Sequence, residues 1–196
     1  QLRTSEKDRA ENVMIVDLVR NDLGRVCDPG SVTVPELCVT EPHPGLVHLV
    51  STVRGELAPG TGWAELIAAT FPPGSVTGAP KPSALDIINA LEAAPRGPYC
   101  GGIGWVDADR GTGELAVGIR TFWIDREDGL PLLRFGTGAG ITWGSDPDRE
   151  WDETELKASR LLGVASRGGL AATTRSPADT TGTTTGVRHG ADLAGR

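Results

Sequence analysis

The stretch Asp146-Pro147-Asp148-Arg149-Glu150-Trp151-Asp152-Glu153-Thr154-Glu155-Leu156-Lys157 predicts the start of a helix. Asp146 is placed to cap it, because its carboxylate can accept a hydrogen bond from an unpaired backbone N–H of the first turn. Pro147 takes the first helical position, where its missing N–H costs nothing. Glu150, Glu153 and Lys157 follow at i, i+3 and i+7, so they share one face of this helix.

A glycine-rich loop, Gly136-Thr137-Gly138-Ala139-Gly140-Ile141, lies just upstream of that helix. Glycines leave the backbone open to close approach by a ligand. A carboxylate face beside such a loop favours a site for a metal ion and an anionic ligand. Charge pairs at helical spacing are also common on solvated surfaces. From the helix alone, both interpretations stay open.

Composition limits the classes of protein to consider. The 196 residues fit one domain, and the net charge of −7 disfavours a nucleic-acid or membrane-surface role. Three cysteines without CxxC spacing predict reduced thiols in a cytoplasmic protein. No apolar run approaches the roughly 20 residues of a membrane helix. Because the chain opens at Gln1 and enters a predicted helix almost at once, we expect a piece of a longer chain.

The order of periodic segments predicts an α+β fold with layered, mainly antiparallel β-sheets and outer helices. Turn sequences at 109–111 and 127–129 indicate antiparallel hairpins. Helices are predicted at 5–22, 63–70, 80–93 and 146–162, and strands at 31–34, 37–40, 46–57, 101–105, 115–125 and 132–135. The segment 71–81 is predicted to be a long loop, a kind more often functional than decorative.

Two buried helix faces and one domain boundary follow from the same patterns. The first helix is expected to bury Ala10, Met14 and Leu18. The helix at 80–93 is expected to bury an apolar face made of Ala84, Leu85, Ile87, Ile88 and Leu91. From residue 166 the composition turns to Thr, Gly and Ala, so we expect a domain over 1–165 and a disordered tail over 166–196.

A second carboxylate pair, Asp8 and Glu11, lies at i, i+3 on the first helix. Mg²⁺ takes oxygen ligands, often one or two carboxylates completed by water and by oxygens of the substrate. Two helices that meet at one site would supply Glu11 and Glu153, one from each. Zinc fits less well, because the histidines and cysteines show no ligand spacing: His43, His48, His189, Cys27, Cys38 and Cys100.

The glycine loops do not match nucleotide-binding motifs, since neither GxGxxG nor the Gly-Lys-Ser/Thr of a P-loop is present. They can still hold a carboxylate through backbone N–H groups. Arg120 can pair with a carboxylate by a planar fork and Lys157 as a point charge, or each can be a surface charge. The Tyr99 hydroxyl either donates to a ligand or lies at a core edge. His48 is a core group or a donor in a cleft.

Several longer motifs together resemble the chorismate-utilising enzymes. They occur in the family's order and reach about residue 162, but they correspond only to the C-terminal part of the family's domain. The matching stretches are Glu11 to Gly24, Val47-His48-Leu49-Val50-Ser51-Thr52-Val53, Ser75-Val76-Thr77-Gly78-Ala79-Pro80-Lys81, Arg96-Gly97-Pro98-Tyr99-Cys100-Gly101, Gly138-Ala139-Gly140-Ile141 and Glu150-Trp151-Asp152-Glu153-Thr154.

The resemblance implies a set of site residues. Mg²⁺ would be held at Glu11 and Glu153, with Asp8 and Glu150 nearby or as alternates. Chorismate carboxylates would be bound by Tyr99, Arg120, Lys157 and the backbone of Gly138, Ala139, Gly140 and Ile141. The residues lining the ring would be His48, Ser75 and Thr77, of which His48 and Thr77 are the expected catalytic groups.

Residues 22–27 and 71–78 most resemble the aminodeoxychorismate synthase component I branch of that family. The implied reaction is Mg²⁺-dependent amination of chorismate to 4-amino-4-deoxychorismate, on the para-aminobenzoate and folate branch, with ammonia from a glutamine amidotransferase subunit or fused domain. Anthranilate synthase component I or another chorismate-utilising enzyme is the alternative. The motif with the lysine that separates these branches would lie before Gln1, so a chain that is inactive alone is the third expectation.

Overall fold

The computed structural model describes residues 5–44 and 46–167, and the predicted α+β class with antiparallel sheets is confirmed. Each of its three sheets is a two-stranded antiparallel hairpin. In chain order the described part contains α1 (Glu6–Gly24), β1 (Thr33–His43), β2 (Leu46–Arg54), α2 (Trp63–Thr70), α3 (Gly74–Thr77), α4 (Lys81–Leu91), β3 (Gly102–Asp107), β4 (Thr112–Val117), β5 (Phe122–Glu127), β6 (Leu130–Phe135) and α5 (Pro147–Arg167).

Helix α1 starts where its cap predicts, because the Ser5 hydroxyl accepts a hydrogen bond from the Asp8 N–H at 3.3 Å. The predicted buried stripe was wrong. Ala10 is exposed and the Met14 side chain is 46% exposed. The buried residues of α1 are instead the apolar Val16 and the charged Asp22 near its end. A polar residue on the packed face shifts the real stripe away from the apolar pattern.

Strand β1 is one long strand rather than the two short ones predicted, and it pairs with β2 through two irregularities in register. One lies between Glu36 and Val39, where Cys38 has a left-handed backbone with φ of 54°. A residue in that conformation bends the strand without ending it, as in a β-bulge. Strand β2 covers the stretch that carries His48 and Ser51.

The segment 71–81 contains the one-turn helix α3, which the loop prediction missed. Glycine at 74 lets this turn lie against α1, since a Cβ there would meet Leu18 at 3.0 Å. Helix α4 follows as predicted, but the prediction of a buried apolar face on it was wrong. Ala84, Leu85 and Ile88 are half-buried, and Ile87 and Leu91 are 58% and 76% exposed.

Hairpins β3–β4 and β5–β6 confirm the two turn predictions. Gly104 needs to be glycine because a Cβ there would overlap the Glu114 carbonyl across the hairpin. The single strand predicted over 115–125 was wrong. The buried Gly118 follows the end of β4, and Arg120 has φ of 52°, so the chain breaks before β5 begins.

Helix α5 continues through Ser166 to Arg167, past its predicted end near 162. The rest of the tail predicted from composition, residues 168–196, lies outside the described residues. No helix in the described part of the chain is both long and apolar enough to cross a membrane.

The described part of the chain divides into two compact units, the first made of residues up to 88 with 100–117 and the second of residues 89–99 with those from 118 onward. Among the described residues the buried apolar side chains are few and small: Val16, Cys27, Cys38, Ala69, Cys100 and Ala158. Polar bonds and glycine contacts therefore contribute much of the specific packing within each unit.

Candidate functional site

Helix α5 of the second unit carries three of its charged residues on its half-buried side and several apolar residues on its exposed side. Glu150, Glu153 and Lys157 all lie on the half-buried side, beside the buried Ala158. The outer face carries Trp151 at 47%, Leu156 at 75% and Val164 at 63% exposure. The half-buried side also carries Leu161 and Leu162, so charged and apolar residues share it. Because the Glu153 side chain is 40% exposed, both interpretations of these carboxylates stay open.

The start of α5 is fixed as the sequence predicts. The Asp146 carboxylate accepts a hydrogen bond from the Arg149 N–H at 3.1 Å, and its carbonyl accepts one from the Glu150 N–H at 3.0 Å. These bonds satisfy donors that the first turn leaves unpaired. The cap sets the direction of the helix directly after the glycine loop, so it also sets where Glu150 and Glu153 project.

Tyr99 lies against the glycine loop that precedes α5. A Cβ on Gly136 would overlap the base of the Tyr99 ring, and a Cβ on Gly138 would come within 3.0 Å of the Tyr99 hydroxyl oxygen. The loop is glycine-rich here because the aromatic ring occupies the space that side chains would need. The guanidinium of Arg96 lies 5.9 Å from the centre of the same ring, which is within cation–π range.

Lys157 connects the helix to the loop. Its Nζ lies 2.6 Å from Glu153 Oε1 and donates to the Gly138 carbonyl at 3.5 Å. The Thr137 hydroxyl adds a second link by donating to the Thr154 carbonyl at 3.4 Å. The structure thus brings together four predicted site residues of this unit: Tyr99, Gly138, Glu153 and Lys157.

The other predicted residues of this unit are less closely connected. Ala139 is half-buried and Gly140 exposed in the loop itself. Arg120 is exposed on the segment between β4 and β5, and the contacts that join Tyr99, Gly138, Glu153 and Lys157 do not include it. Its assignment to a substrate carboxylate stays a prediction.

The first unit carries the other carboxylate pair, on α1. Asp8 is half-buried and Glu11 is exposed, one turn apart. Glu11 belongs to the first unit and Glu153 to the second. Their convergence on one ion stays a prediction.

A polar network that the sequence did not reveal holds α1 to the β1–β2 hairpin. Asn12 donates to the Leu49 carbonyl at 3.2 Å, and its side-chain oxygen accepts hydrogen bonds from the Ser51 hydroxyl at 2.5 Å and the Cys38 thiol at 3.4 Å. The Cys38 N–H in turn donates to the Ser51 oxygen at 2.8 Å. The partners come from three elements, α1, β1 and β2, so no local pattern predicts the network.

This network joins the neighbours of two predicted site residues. Asn12 follows Glu11 directly, and Leu49 follows His48. His48 is exposed on β2, opposite Glu41 in the register, with its ring centroid 4.7 Å from that of His43. The core alternative for His48 is therefore disfavoured, while its role as a catalytic group stays a prediction.

Ser75 and Thr77 lie on the short helix α3. The Thr77 hydroxyl donates to the Pro73 carbonyl at 3.0 Å, so its proton is already used within the turn. Towards a ligand this oxygen can accept a hydrogen bond, but it cannot donate one in this arrangement. Ser75, two residues earlier, is exposed.

The buried thiol of Cys27 lies outside this group of residues. Burial raises its pKa, and the negative charge of the neighbouring Asp28 raises it further. A raised pKa keeps the thiol protonated and unreactive at neutral pH. Cys27, Cys38 and Cys100 are buried thiols, which agrees with the predicted reduced state.

The chemistry of the carboxylates fits a hard divalent cation, since the candidate donors are all carboxylate oxygens. No group of three or more His, Cys, Asp and Glu side chains that would hold an ion by itself occurs within residues 5–44 and 46–167. Mg²⁺ needs no such cage, because it commonly combines one or two carboxylates with water and substrate oxygens. The donors present fit that mode of binding.

The sequence did not indicate two pairs of residues whose side-chain bonds hold elements of the candidate site in place. Asn12 with Ser51, and Asp22 with Lys81, each join positions that are 39 and 59 residues apart. The signal available in the sequence was weak: a polar residue in the middle of an otherwise apolar helix. That feature predicts a buried partner but does not identify it.

These features define an α+β segment in which a helix rich in carboxylates begins beside a glycine loop. The model for the family described as chorismate binding enzyme matches residues 1–163. The chain therefore belongs to the chorismate-binding enzyme family, as its motifs suggested.

Relatives in this family carry two different names at similar identity. The chain is 48% identical over 161 residues to anthranilate synthase component 1 of Saccharolobus solfataricus, covering 82% of this chain and 37% of the relative. It is 46% identical over 164 residues to aminodeoxychorismate synthase component 1 of Klebsiella aerogenes, covering 83% and 35%. The chain spans little more than a third of the length of these relatives.

A solved structure supports the same assignment. The crystal structure of anthranilate synthase component I from Streptococcus pneumoniae TIGR4 matches with a TM-score of 0.68 and 37% sequence identity. The match covers 82% of this chain and 36% of that one. The family is thus shown by fold and by sequence.

Proposed function

We propose that this chain forms the C-terminal part of a chorismate-aminating enzyme whose product is 4-amino-4-deoxychorismate. The observation that carries the proposal is the cluster in which Lys157 joins Glu153 of α5 to the Gly138 carbonyl, with the Tyr99 ring against the same loop. Carboxylates and hydrogen-bond donors side by side at a glycine loop suit a divalent cation with an anionic ligand. Family membership names chorismate as that ligand.

The anionic substrate would meet the second unit at the glycine loop. The Tyr99 hydroxyl lies near Gly138, and the Lys157 ammonium reaches the carbonyl of the same residue. Together with loop N–H groups, these donors suit a carboxylate. Arg120 would pair with the second carboxylate, and Ala139 and Gly140 would leave room for the substrate.

The metal proposal concerns Glu11 and Glu153, with Asp8 and Glu150 nearby or as alternates. Mg²⁺ bound there would act as a Lewis acid that neutralises a carboxylate and favours departure of the ring hydroxyl. The residues of the chain have separate tasks. His48, Ser75 and Thr77 would line the ring, where His48 would move a proton and Thr77 would accept a hydrogen bond.

Ammonia would come from a glutamine amidotransferase, either a separate subunit or a fused domain. We further propose that the 196-residue chain is inactive alone. Anthranilate formation is the second candidate function, favoured by the 48% identity to the Saccharolobus solfataricus relative.

The test is a chorismate assay on the chain and on any longer native chain that contains it. With Mg²⁺ and ammonium, mass spectrometry should find 4-amino-4-deoxychorismate from the longer protein and no turnover by the 196 residues alone. Chelation of Mg²⁺ should abolish the product. Anthranilate with released pyruvate would replace the proposal by the second candidate, and turnover by the short chain would refute its inactivity.

The matched variants lie on one helix. Glu153→Gln removes a half-buried carboxylate, and Glu155→Gln makes the same change on the exposed side. We expect Glu153→Gln to lower kcat/KM at least about 100-fold, because one ligand to the ion is lost. Glu155→Gln should stay within about twofold. Equal effects of the two changes would remove α5 from the site.

A further inference from the structure

A single lysine, Lys81, connects the two ends of the segment between α2 and α4. Lys81 Nζ donates to the Ala69 carbonyl at 3.0 Å and to Asp22 Oδ2 at 2.9 Å. The first bond joins the two ends of the segment 70–80, as in a compact surface loop. The second bond anchors those joined ends to α1.

The Lys81–Asp22 ion pair is buried, and removing its two charges from water costs free energy of folding. The side chains of Lys81 and Asp22 are 15% and 8% exposed. Asp22 is the one buried charged residue within the described part of the chain. Two charges removed from water lose hydration energy that their attraction does not always repay, whereas a well-packed apolar pair has no such cost.

The closed segment carries Ser75 and Thr77, which the proposed function places along the ring. The glycine at 74 lies against Leu18 of α1, so α1 contacts the segment at its middle as well as at its ends. The Thr77 hydroxyl is held by the Pro73 carbonyl. The position of α3 is therefore fixed relative to α1 by one apolar contact and one buried ion pair.

We propose that Asp22 and Lys81 are positioning residues for the substrate-lining turn of α3. The pair holds the segment 70–80 on α1, and so sets where Ser75 and Thr77 stand, although neither charged group touches the substrate. The inference rests on the proposed function for the identity of the substrate. Its structural part, that the pair fixes the segment, stands without it.

The test separates stability from positioning with three variants of the full chain. Lys81→Met and Asp22→Asn each leave a buried partner unpaired, and should lower the folding equilibrium constant by roughly two to three orders of magnitude. Asp22→Leu combined with Lys81→Met removes both charges. This double variant should recover most of that loss, because no uncompensated charge remains.

Hydrogen exchange of the amides of residues 74–78 reports position independently of any ligand. The double variant should exchange these amides at least about tenfold faster than the wild type, because the bond that closes the segment is gone. In the native enzyme the same variant should raise KM for chorismate or lower kcat at least about tenfold. The exposed Asp17–Arg20 pair on α1 supplies the control, and Arg20→Met should change neither readout.

Each outcome decides one part of the proposal. A double variant with wild-type exchange and wild-type kinetics would show that the pair only stabilises the fold, and would overturn the proposal. Faster exchange with no chorismate binding by any form of the protein would leave the positioning role in place and refute the proposed function instead. Single variants of wild-type stability would overturn the burial argument itself.

Discussion

The two units hold their candidate site residues by different means. In the first unit, polar bonds connect elements far apart in the chain, such as Asn12 with Leu49 and Lys81 with Asp22. In the second unit, the contacts are a ring against glycines and an ion pair within one helix, Glu153 with Lys157. Only the Glu153–Lys157 pair joins residues close in the sequence and follows from local spacing. Tyr99 and Gly136 are as far apart in the chain as Asn12 and Leu49.

This difference explains which site residues the sequence could indicate. The carboxylate–lysine face of α5 follows from helical spacing, and the glycine loop follows from composition. In the first unit the same method chose the wrong face of α1. It ranked Ala10 and Met14 as buried, although the helix packs through residues that include Asp22.

The largest effect on stability is expected at Gly136 of the second unit, which packs directly against the Tyr99 ring. Gly136→Ala would place a methyl group where the Tyr99 ring lies, so the ring or the loop must move. We expect a loss of about 3 kcal/mol in the free energy of unfolding, at the upper end of overpacking costs. Chemical denaturation measures it, with Gly144→Ala as the control, because nothing lies within 4 Å of that position.

A double variant tests whether Tyr99 is the cause. In Gly136→Ala combined with Tyr99→Ala the methyl group has space, so the two losses should not add. A coupling free energy of about 1 kcal/mol or more is expected. Additive losses would show that the glycine is needed for another reason, and the contact between ring and loop would then no longer characterise this unit.

Local signals predicted the fold better than they predicted the site. Caps at Ser5 and Asp146 and turns at 109–111 and 127–129 lie where the sequence places them, because each depends on a few adjacent residues. The break between β4 and β5, which contains the left-handed residue Arg120, was missed. Most non-glycine residues rarely adopt a positive φ, so the residue type alone does not predict this conformation.

The next largest effect is expected in the polar network of the first unit. Asn12→Ala removes the acceptor of Ser51 and Cys38 and the donor to Leu49. The partners are half-buried or buried, so they lose bonds that water only partly replaces, and we expect a loss of about 2 kcal/mol. Thermal or urea unfolding measures it. Asn21→Ala, an exposed asparagine on the same helix, is the control and should change stability by less than about 0.5 kcal/mol.

Ser51→Ala distinguishes a network from a single bond. If Asn12 and Ser51 act as one unit, the double variant should lose less than the sum of the two single losses. Exchange of the Cys38 amide should rise in both single variants, because its acceptor is the Ser51 oxygen. An Asn12→Ala protein as stable as the control would show that long-range polar bonds do not hold this unit together.

The smallest effect is expected for the ion pair within α5. The Glu153 and Lys157 side chains are 40% and 32% exposed, so solvent screens their attraction. Lys157→Met should therefore lower stability by less than about 1 kcal/mol, in contrast to Lys81→Met, where the partner is buried.

Unfolding in low and high salt measures this difference, since added salt weakens an exposed pair and leaves a buried one nearly unchanged. Arg160→Met, on the exposed face of the same helix, corrects for the loss of one positive charge. If Lys157→Met were as costly as Lys81→Met, the Glu153 carboxylate would be a structural anchor, and its availability to a metal ion would be in question.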